Sequence, residues 1–316
     1  MSLPRVRLGL DLYPVESSWG DLRDVAVRAD ALGYESLWTW DHLYGHDNPR
    51  QTIFEGWTSI AAIGALTSRA RVGLLVGANT LRNPAIVAKM AVTLDHITGG
   101  RAVLGLGSGW RPREHRDHGI AFGSRPGERL IWLGEALQLI RGLLRGETVS
   151  SPPGGHYAFV DASHRPLPVG GPGKLPILIG GGGERRTLPV VAAYADIWHH
   201  RGSVRSLREK LEVLHEACGA IGRDPAEIEL AFGPQVVIRS DALLALRTLE
   251  SSYRRLGLVF NGDPDEAWFG EPQAIADRMF PYLELGFTHF VAGLPAPHDL
   301  ETVDGLMEVQ QLLAHA

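Results

Sequence analysis

Residues 72–106 read VGLLVGANTLRNPAIVAKMAVTLDHITGGRAVLGL. Two short apolar runs, 72–76 and 102–106, flank a segment with helical spacing of its apolar residues from 84 to 97. Pro84 opens that segment, where a missing N–H costs no hydrogen bond. Runs such as VGLLV and AVLGLG are apolar throughout, as strands buried on both faces of a parallel sheet must be. Strand, helix and strand in this order form one unit of a parallel α/β fold.

The same alternation extends in both directions. Toward the N-terminus lie a strand at 6–12, a helix at 21–32, a strand at 36–40 and a helix at 57–67. In the first of these helices Leu22, Val25, Ala26, Ala29 and Leu32 form the apolar face, and Gly33 stops it. Toward the C-terminus lie a helix at 128–144, a strand at 176–179, a helix at 186–194 and a strand at 195–198. A helix at 204–221, a strand at 228–238, helices at 242–256 and 272–285, a strand at 288–292 and a helix at 300–313 complete the chain. An open doubly wound sheet and a closed barrel both use such units. Eight strands, each followed by helical sequence, favour the (β/α)8 TIM barrel, with residues 1–316 as one domain. Residues 147–175 break the rhythm with PPGG, GGPG and five prolines. They read as an insertion between the fourth helix and the fifth strand, near the barrel mouth.

Composition narrows the partners. The chain has 316 residues, 44% of them hydrophobic, which is enough for a sizeable core. With 21% charged residues and a net charge of −5 it has no bulk attraction for nucleic acid or anionic lipid. The single cysteine, Cys218, cannot form an internal disulfide, and its helical context marks a buried residue rather than a catalytic thiol. The opening MSLPRVRLGL has no long apolar run, so no signal peptide is expected. Nor is there a run of about 18 apolar residues to span a membrane. A cytoplasmic protein is expected.

The strand ends carry the polar chemistry. The second strand runs into Trp38-Thr39-Trp40-Asp41-His42. A carboxylate and an imidazole at the C-terminal end of a barrel strand occupy the catalytic face. They serve either as an acid/base pair or as a structural cap with a hydrogen-bonded histidine. The fourth strand runs into Gly107-Ser108-Gly109-Trp110, where glycines let a flat ligand approach the backbone. A Rossmann reading fails there, because the spacing is incomplete and RPREHRDHG follows instead of an apolar helix. The fifth strand runs into Gly180-Gly181-Gly182-Gly183 before a helix that begins near Thr187. Consecutive N–H donors at a helix N-terminus make a phosphate cradle. Glu184 within it carries the wrong charge unless it turns away. Glu114, His115 and His118 have helical ligand spacing and His199 and His200 are adjacent, but the former sit among arginines, so no metal site is expected.

The segments WTWDHLYG (38–45), EGWTSIAAIGALTSRARVGLLV (55–76), RNPAIVAKMAVTLDHITGGRAVLGLGSGW (82–110) and PILIGGGGERRTLPVVAAYADIW (176–198) together resemble the bacterial luciferase-like oxidoreductase family, flavin- and deazaflavin-dependent barrels. The likeness is dense from about residue 6 to residue 200. The DHLYG segment, the RNPAIVAKM helix start and the glycine loop followed by Glu114 and His115 are most similar to the branch using the deazaflavin coenzyme F-420; FMN-dependent relatives share much of the pattern. The resemblance implies a cofactor ring across the barrel mouth with its phosphate on the Gly180–Gly183 loop and Thr187. It implies Asp41 bonding the ring or its chain, and His42 as acid/base at the hydride-transfer position. It further implies a non-proline cis peptide at Leu75–Val76 beneath the ring, with Gly107, Ser108, Gly109 and Trp110 lining it. F-420 relatives often carry a glutamate where Trp110 stands, which argues against a two-residue proton relay and against sugar-phosphate substrates; Glu114 is a nearby substitute.

These implications give an expected function: hydride transfer between F-420 and a small organic substrate, in a homodimer. An FMN monooxygenase fed by a partner reductase is the alternative. A non-catalytic flavin-binding barrel and a cofactor-free hydrolase using Asp41, His42 and His115 complete the set. The substrate pocket is expected from residues 44–54 and 147–175.

Overall fold

The computed structural model describes residues 5–46, 48–263 and 265–315; the first four residues of the opening segment lie outside it. Strand β1 (Arg7–Leu12) leads to helix α1 (Trp19–Leu32), which a reciprocal capping box between Ser18 and Asp21 starts and left-handed Gly33 ends. Then come β2 (Ser36–Thr39), α2 (Gly56–Leu66), β3 (Arg71–Leu74), the two-residue β4 (Gly77–Ala78) and α3 (Pro84–Thr98). The middle of the chain holds β5 (Ala102–Gly107), short α4 (Pro112–Asp117), α5 (Pro126–Arg145), β6 (Ile177–Gly180), α6 (Thr187–Tyr194), β7 (Ile197–His200) and α7 (Val204–Ala220). It closes with β8 (Glu229–Phe232), β9 (Gln235–Ile238), α8 (Ala242–Arg255), β10 (Ala267–Gly270), α9 (Pro272–Glu284), β11 (His289–Leu294) and α10 (Leu300–Ala314).

The TIM-barrel expectation holds. Strands β1, β2, β3, β5, β6, β7, β8 and β11 pair in parallel in that order. Strand β11 returns to β1 along its full length, from Arg7 beside His289 to Leu12 beside Leu294, and closes the barrel. Trp38, Val103, Leu178, Ile197, Ala231 and Val291 plug the interior. A second, larger apolar layer joins strands to helices, with Leu8, Leu37, Leu104 and Ile177 facing residues such as Ile60, Ala91 and Leu137. No helix among the described residues is long and apolar enough to cross a membrane.

Four details differ from the sequence expectation. Residues 228–238 form two strands, not one. Gly233 and Pro234 interrupt the run, and proline donates no ladder bond. Strand β8 stays in the barrel, while β9 meets β11 only at Gln235 beside Gly293 and pairs along its length with β10, a strand that was not expected. Short α4 was also not expected, because PREHRD has no apolar face. Residues 147–175 hold one antiparallel bridge, Val149 to Ala162, and pack mainly along the outer helices. The Val169 N–H donates to Asp95 Oδ2 at 2.8 Å, and Gly173 N–H to the Leu144 carbonyl at 2.9 Å. The segment reaches the loop after β4 through Tyr157, whose hydroxyl accepts from Asn79 Nδ2 at 2.8 Å.

At the N-terminal strand ends the barrel is closed by charge. Glu229 at the start of β8 meets Arg7 at 2.7 Å, Arg71 at 3.0 Å and His289 Nδ1 at 2.7 Å. His289 Nε2 bonds Ser36 Oγ at 2.7 Å, and that oxygen accepts from Trp38 Nε1 at 2.7 Å. Serine, histidine and carboxylate thus stand at the bond lengths of a hydrolase triad. Ser36 and His289 are each 0% exposed, however, and no substrate reaches them.

Candidate active site

The opposite, C-terminal strand ends surround a cavity of about 740 Å³, a size typical of small-molecule sites. Asp41, just beyond β2, is buried on its edge. The Ala78 N–H donates to its Oδ2 at 3.0 Å, and Arg82 Nη1 donates to both oxygens at 2.9 and 2.8 Å. Arg82 is held in turn by Glu55 at 2.7 Å. Burial raises the Asp41 pKa, while Arg82 and the Ala78 N–H pull it back. A carboxylate has about four acceptor positions, so these three bonds leave one for a ligand. They also pin the bend between β3 and β4, where the Leu75–Val76 peptide is cis as the resemblance implied.

His42 lines the cavity beside Asp41. Its Nδ1 lies 3.1 Å from Glu114 Oε2, a partner 72 positions away on α4. The other Glu114 oxygen accepts from the Leu43 and Tyr44 N–H groups, each at 3.1 Å. Burial works to raise the Glu114 pKa, but His42, the Tyr44 N–H and the Arg111 charge outweigh it and hold the carboxyl below its ordinary value. An ionised carboxylate therefore faces Nδ1, which selects the tautomer with its proton there and leaves Nε2 for the cavity. Trp40 and Trp110 hold the imidazole edge-on, with ring centroids 6.1 and 5.6 Å away.

Leu75, Val76, Gly107, Ser108, Gly109 and Trp110 all line the same space. At Gly107 a Cβ would lie 2.8 Å from Val76 Cγ2. At Gly109 it would lie 2.4 Å from Thr80 Oγ1, and φ there is +75°, a region open chiefly to glycine. The two glycines thus keep side chains off the cavity wall. Trp110 is 67% exposed, with the Arg111 guanidinium 4.6 Å from its ring centroid.

The four-glycine loop divides. Gly180 and Gly181 line the cavity, whereas Gly182, Gly183 and Thr187 do not. The Gly183 carbonyl accepts from the Thr187 and Leu188 N–H groups at 2.8 and 3.1 Å, forming the first turn of α6. Lys210 Nζ donates to the Gly182 carbonyl at 2.9 Å and pairs with Glu184 at 3.0 Å. The Glu184 charge is thereby offset by a lysine.

Other expectations separate. His115 bonds the Arg111 carbonyl at 2.8 Å and Thr80 Oγ1 at 2.7 Å, and His118 bonds the Glu114 carbonyl at 2.8 Å. Glu114, His115 and His118 therefore point to different partners. His115 also does not join Asp41 and His42 on the cavity, which removes the third member of the hydrolase arrangement. From residues 44–54, His46 reaches the cavity; from 147–175 no described residue does. That second expectation is corrected: the insertion is occupied with α3 and α5. Arg82, Asp11 and Gln235 were not among the expected site residues; Glu114 was expected near the glycine loop but not as the partner of His42, and His199 was weighed only beside His200 as a metal ligand. Asp11 did leave a signal, as the charged residue inside the apolar run RLGLDL.

Residues 2–288 match the profile of a family described as luciferase-like monooxygenases. The chain is 28% identical over 331 residues to an F420-dependent glucose-6-phosphate dehydrogenase of Kribbella flavida, covering 94% of each. Among solved structures, an F420-dependent secondary alcohol dehydrogenase in complex with an F420-acetone adduct has a TM-score of 0.83 at 20% identity, covering 97% of this chain and 98% of that one. A long-chain alkane monooxygenase has a TM-score of 0.80 at 16% identity, covering 99% and 92%. At these identities the two structures share the fold.

Proposed function

The chain belongs to the luciferase-like monooxygenase family, and from that membership we propose that it is an oxidoreductase exchanging hydride between a deazaflavin of the F-420 type and a small organic substrate. The observation that carries this reading is the His42–Glu114 pair, set on the same cavity as the Leu75–Val76 bend and the Gly107–Gly109 bed. The F420-dependent relatives that match along most of the chain favour the deazaflavin over FMN.

The residues fit a flat ring. Leu75 and Val76 offer an apolar floor, and Gly107, Ser108 and Gly109 a wall that a Cβ would obstruct. The spare acceptor position of Asp41 suits an N–H or hydroxyl of the cofactor, and Trp110 flanks it. Gly180 and Gly181, with Gly182, Gly183 and Thr187 behind them, form the loop for its phosphate. When bound, the deazaflavin supplies the carbon that accepts or returns hydride. His42 Nε2 takes the proton from a substrate hydroxyl as that hydride leaves the same carbinol carbon, and gives it back in the reverse direction. Glu114 stabilises the imidazolium so formed. The rigid strand ends fix distance and angle, a large part of the rate gain.

Parallel titrations with F-420 and FMN, followed by mass spectrometry of what the washed protein retains, test the reading. Retention of F-420 is expected. Retention of FMN alone would instead support the monooxygenase reading, with a reductase partner and oxygen. Uptake of neither would return a non-catalytic or cofactor-free barrel. Gly107→Val is expected to weaken F-420 uptake at least about tenfold by pushing on Val76. Circular dichroism should show the barrel intact; undiminished uptake would remove Gly107 from the ring site.

A further inference from the structure

The far wall of the cavity carries polar groups that proton transfer at His42 does not use. Asp11 at the end of β1, His199 in β7 and Gln235 at the start of β9 are 2%, 9% and 5% exposed, and all three line the cavity. Asp11 Oδ2 accepts from Trp40 Nε1 at 3.0 Å, but its Oδ1 is buried without a hydrogen-bond partner. So are His199 Nε2 and Gln235 Nε2. The sheet register brings two of these strands together: Asp11 lies beside Gly293 of β11, and Gly293 beside Gln235.

Buried polar atoms are almost always paired, and each exception asks for an explanation. Three exceptions on one cavity wall have a common explanation in a ligand that completes them. Gln235 Nε2 offers only donors, Asp11 Oδ1 accepts when ionised, and the imidazole nitrogen takes either role by tautomer. A hydroxyl both donates and accepts, so adjacent hydroxyls complement this set where an alkyl chain would not. Charge narrows the choice. Arg201 lines the same cavity, but Asp11 attracts it and Tyr13 hydrogen-bonds it, and Glu266 lines the cavity too. The carboxylates of Asp11 and Glu266 thus outnumber the Arg201 guanidinium there, which weighs against a phosphate or carboxylate ligand.

We propose that Asp11, His199 and Gln235 form a substrate subsite that binds the distal hydroxyls of an uncharged, multiply hydroxylated alcohol, or of its carbonyl product, and so holds the reacting carbon at His42. This inference rests on the oxidoreductase reading for its direction but has its own test. Saturation-transfer NMR on the full chain uses glycerol, D-glucose, D-glucose 6-phosphate and 1-hexanol as probes, with F-420 uptake followed separately by absorbance. Glycerol or D-glucose is expected to bind better than the phosphate ester and the alkanol. Gln235→Leu, which removes both donors at similar volume, is expected to weaken that binding about tenfold with F-420 uptake unchanged. Asp11→Asn, a gentler change that tests the same wall if the leucine variant does not fold, is expected to weaken it as well. Binding of neither polyol overturns the proposal, as does binding that both variants leave unmoved or preference for the phosphate or the alkanol. Failure of F-420 uptake with polyol binding intact would sink the deazaflavin hydride-transfer reading while leaving the subsite standing.

Discussion

A His42→Ala protein is expected to turn over substrate about 10²–10⁴-fold more slowly, the usual worth of a positioned acid/base group. The ring contributes nothing to the Asp41–Arg82 clamp or to the glycine bed, so cofactor uptake should survive the change. Glu114→Gln separates chemistry from scaffolding. Its new side chain still accepts from the Leu43 and Tyr44 N–H groups through a carbonyl, but it presents an uncharged group to Nδ1. With the carbonyl so placed, the amide nitrogen faces Nδ1 as a donor and opposes the required tautomer. The expected loss lies between about tenfold and the roughly 10⁴-fold cost of the comparable carboxylate-to-amide change in a serine-protease triad. Because Glu114 acts through His42, the loss should appear in kcat with little change in KM, and Glu114→Asp should recover part of it. Steady-state kinetics on the three variants decides the matter. Full turnover by His42→Ala would remove the acid/base role outright.

The pattern of what could be read in advance has a physical cause. Strands such as 102–107 are buried on both faces, so their apolar runs are visible in one dimension and the barrel follows from counting them. Asp41, His42 and the glycine loops sit directly at strand ends and are found by knowing where strands stop. Glu114 shows the limit of this approach. It pairs with His42 only because the β5–α4 connection folds back over the mouth, and no periodicity records that. Asp11, His199 and Gln235 are brought together by the closure and register of the barrel, from positions spread over more than two thirds of the chain. The strand at 228–238 failed for a local reason: Gly233-Pro234 is a break written in the sequence, but the apolar residues on both sides outweighed it. The insertion misled in another way. Its prolines announced a long irregular segment correctly, yet irregularity says nothing about which surface the segment covers.

The largest stability effect is expected at the other end of the barrel, where Glu229→Ala should cost about 2–4 kcal/mol, somewhat below the roughly 3–5 kcal/mol of a fully buried pair because Glu229, Arg7 and Arg71 are half-buried. Without the carboxylate, Arg7 and Arg71 face each other across the strand starts, and His289 loses the acceptor for its Nδ1 proton while still bonded to Ser36. The melting temperature should fall by about 5–10 °C. The acid dependence of the difference checks its origin. Burial works to raise the Glu229 pKa, but His289 and Arg71 together depress it far below the ordinary 4.5. A carboxyl with a depressed folded pKa contributes stability that is complete above its unfolded pKa and is lost as pH falls toward the folded one. The gap between wild type and Glu229→Ala should therefore be constant near neutrality and narrow below about pH 4.5. A gap that stays constant or widens into acid would mean that packing, not charge, holds the strand starts. Ser36→Ala isolates the remaining question. It removes the hydroxyl from the serine–histidine–carboxylate series and should lower stability through the unpaired His289 Nε2 and Trp38 Nε1. Turnover at the far end should be unchanged, because the geometry of a triad confers no activity where the serine has no path to a substrate.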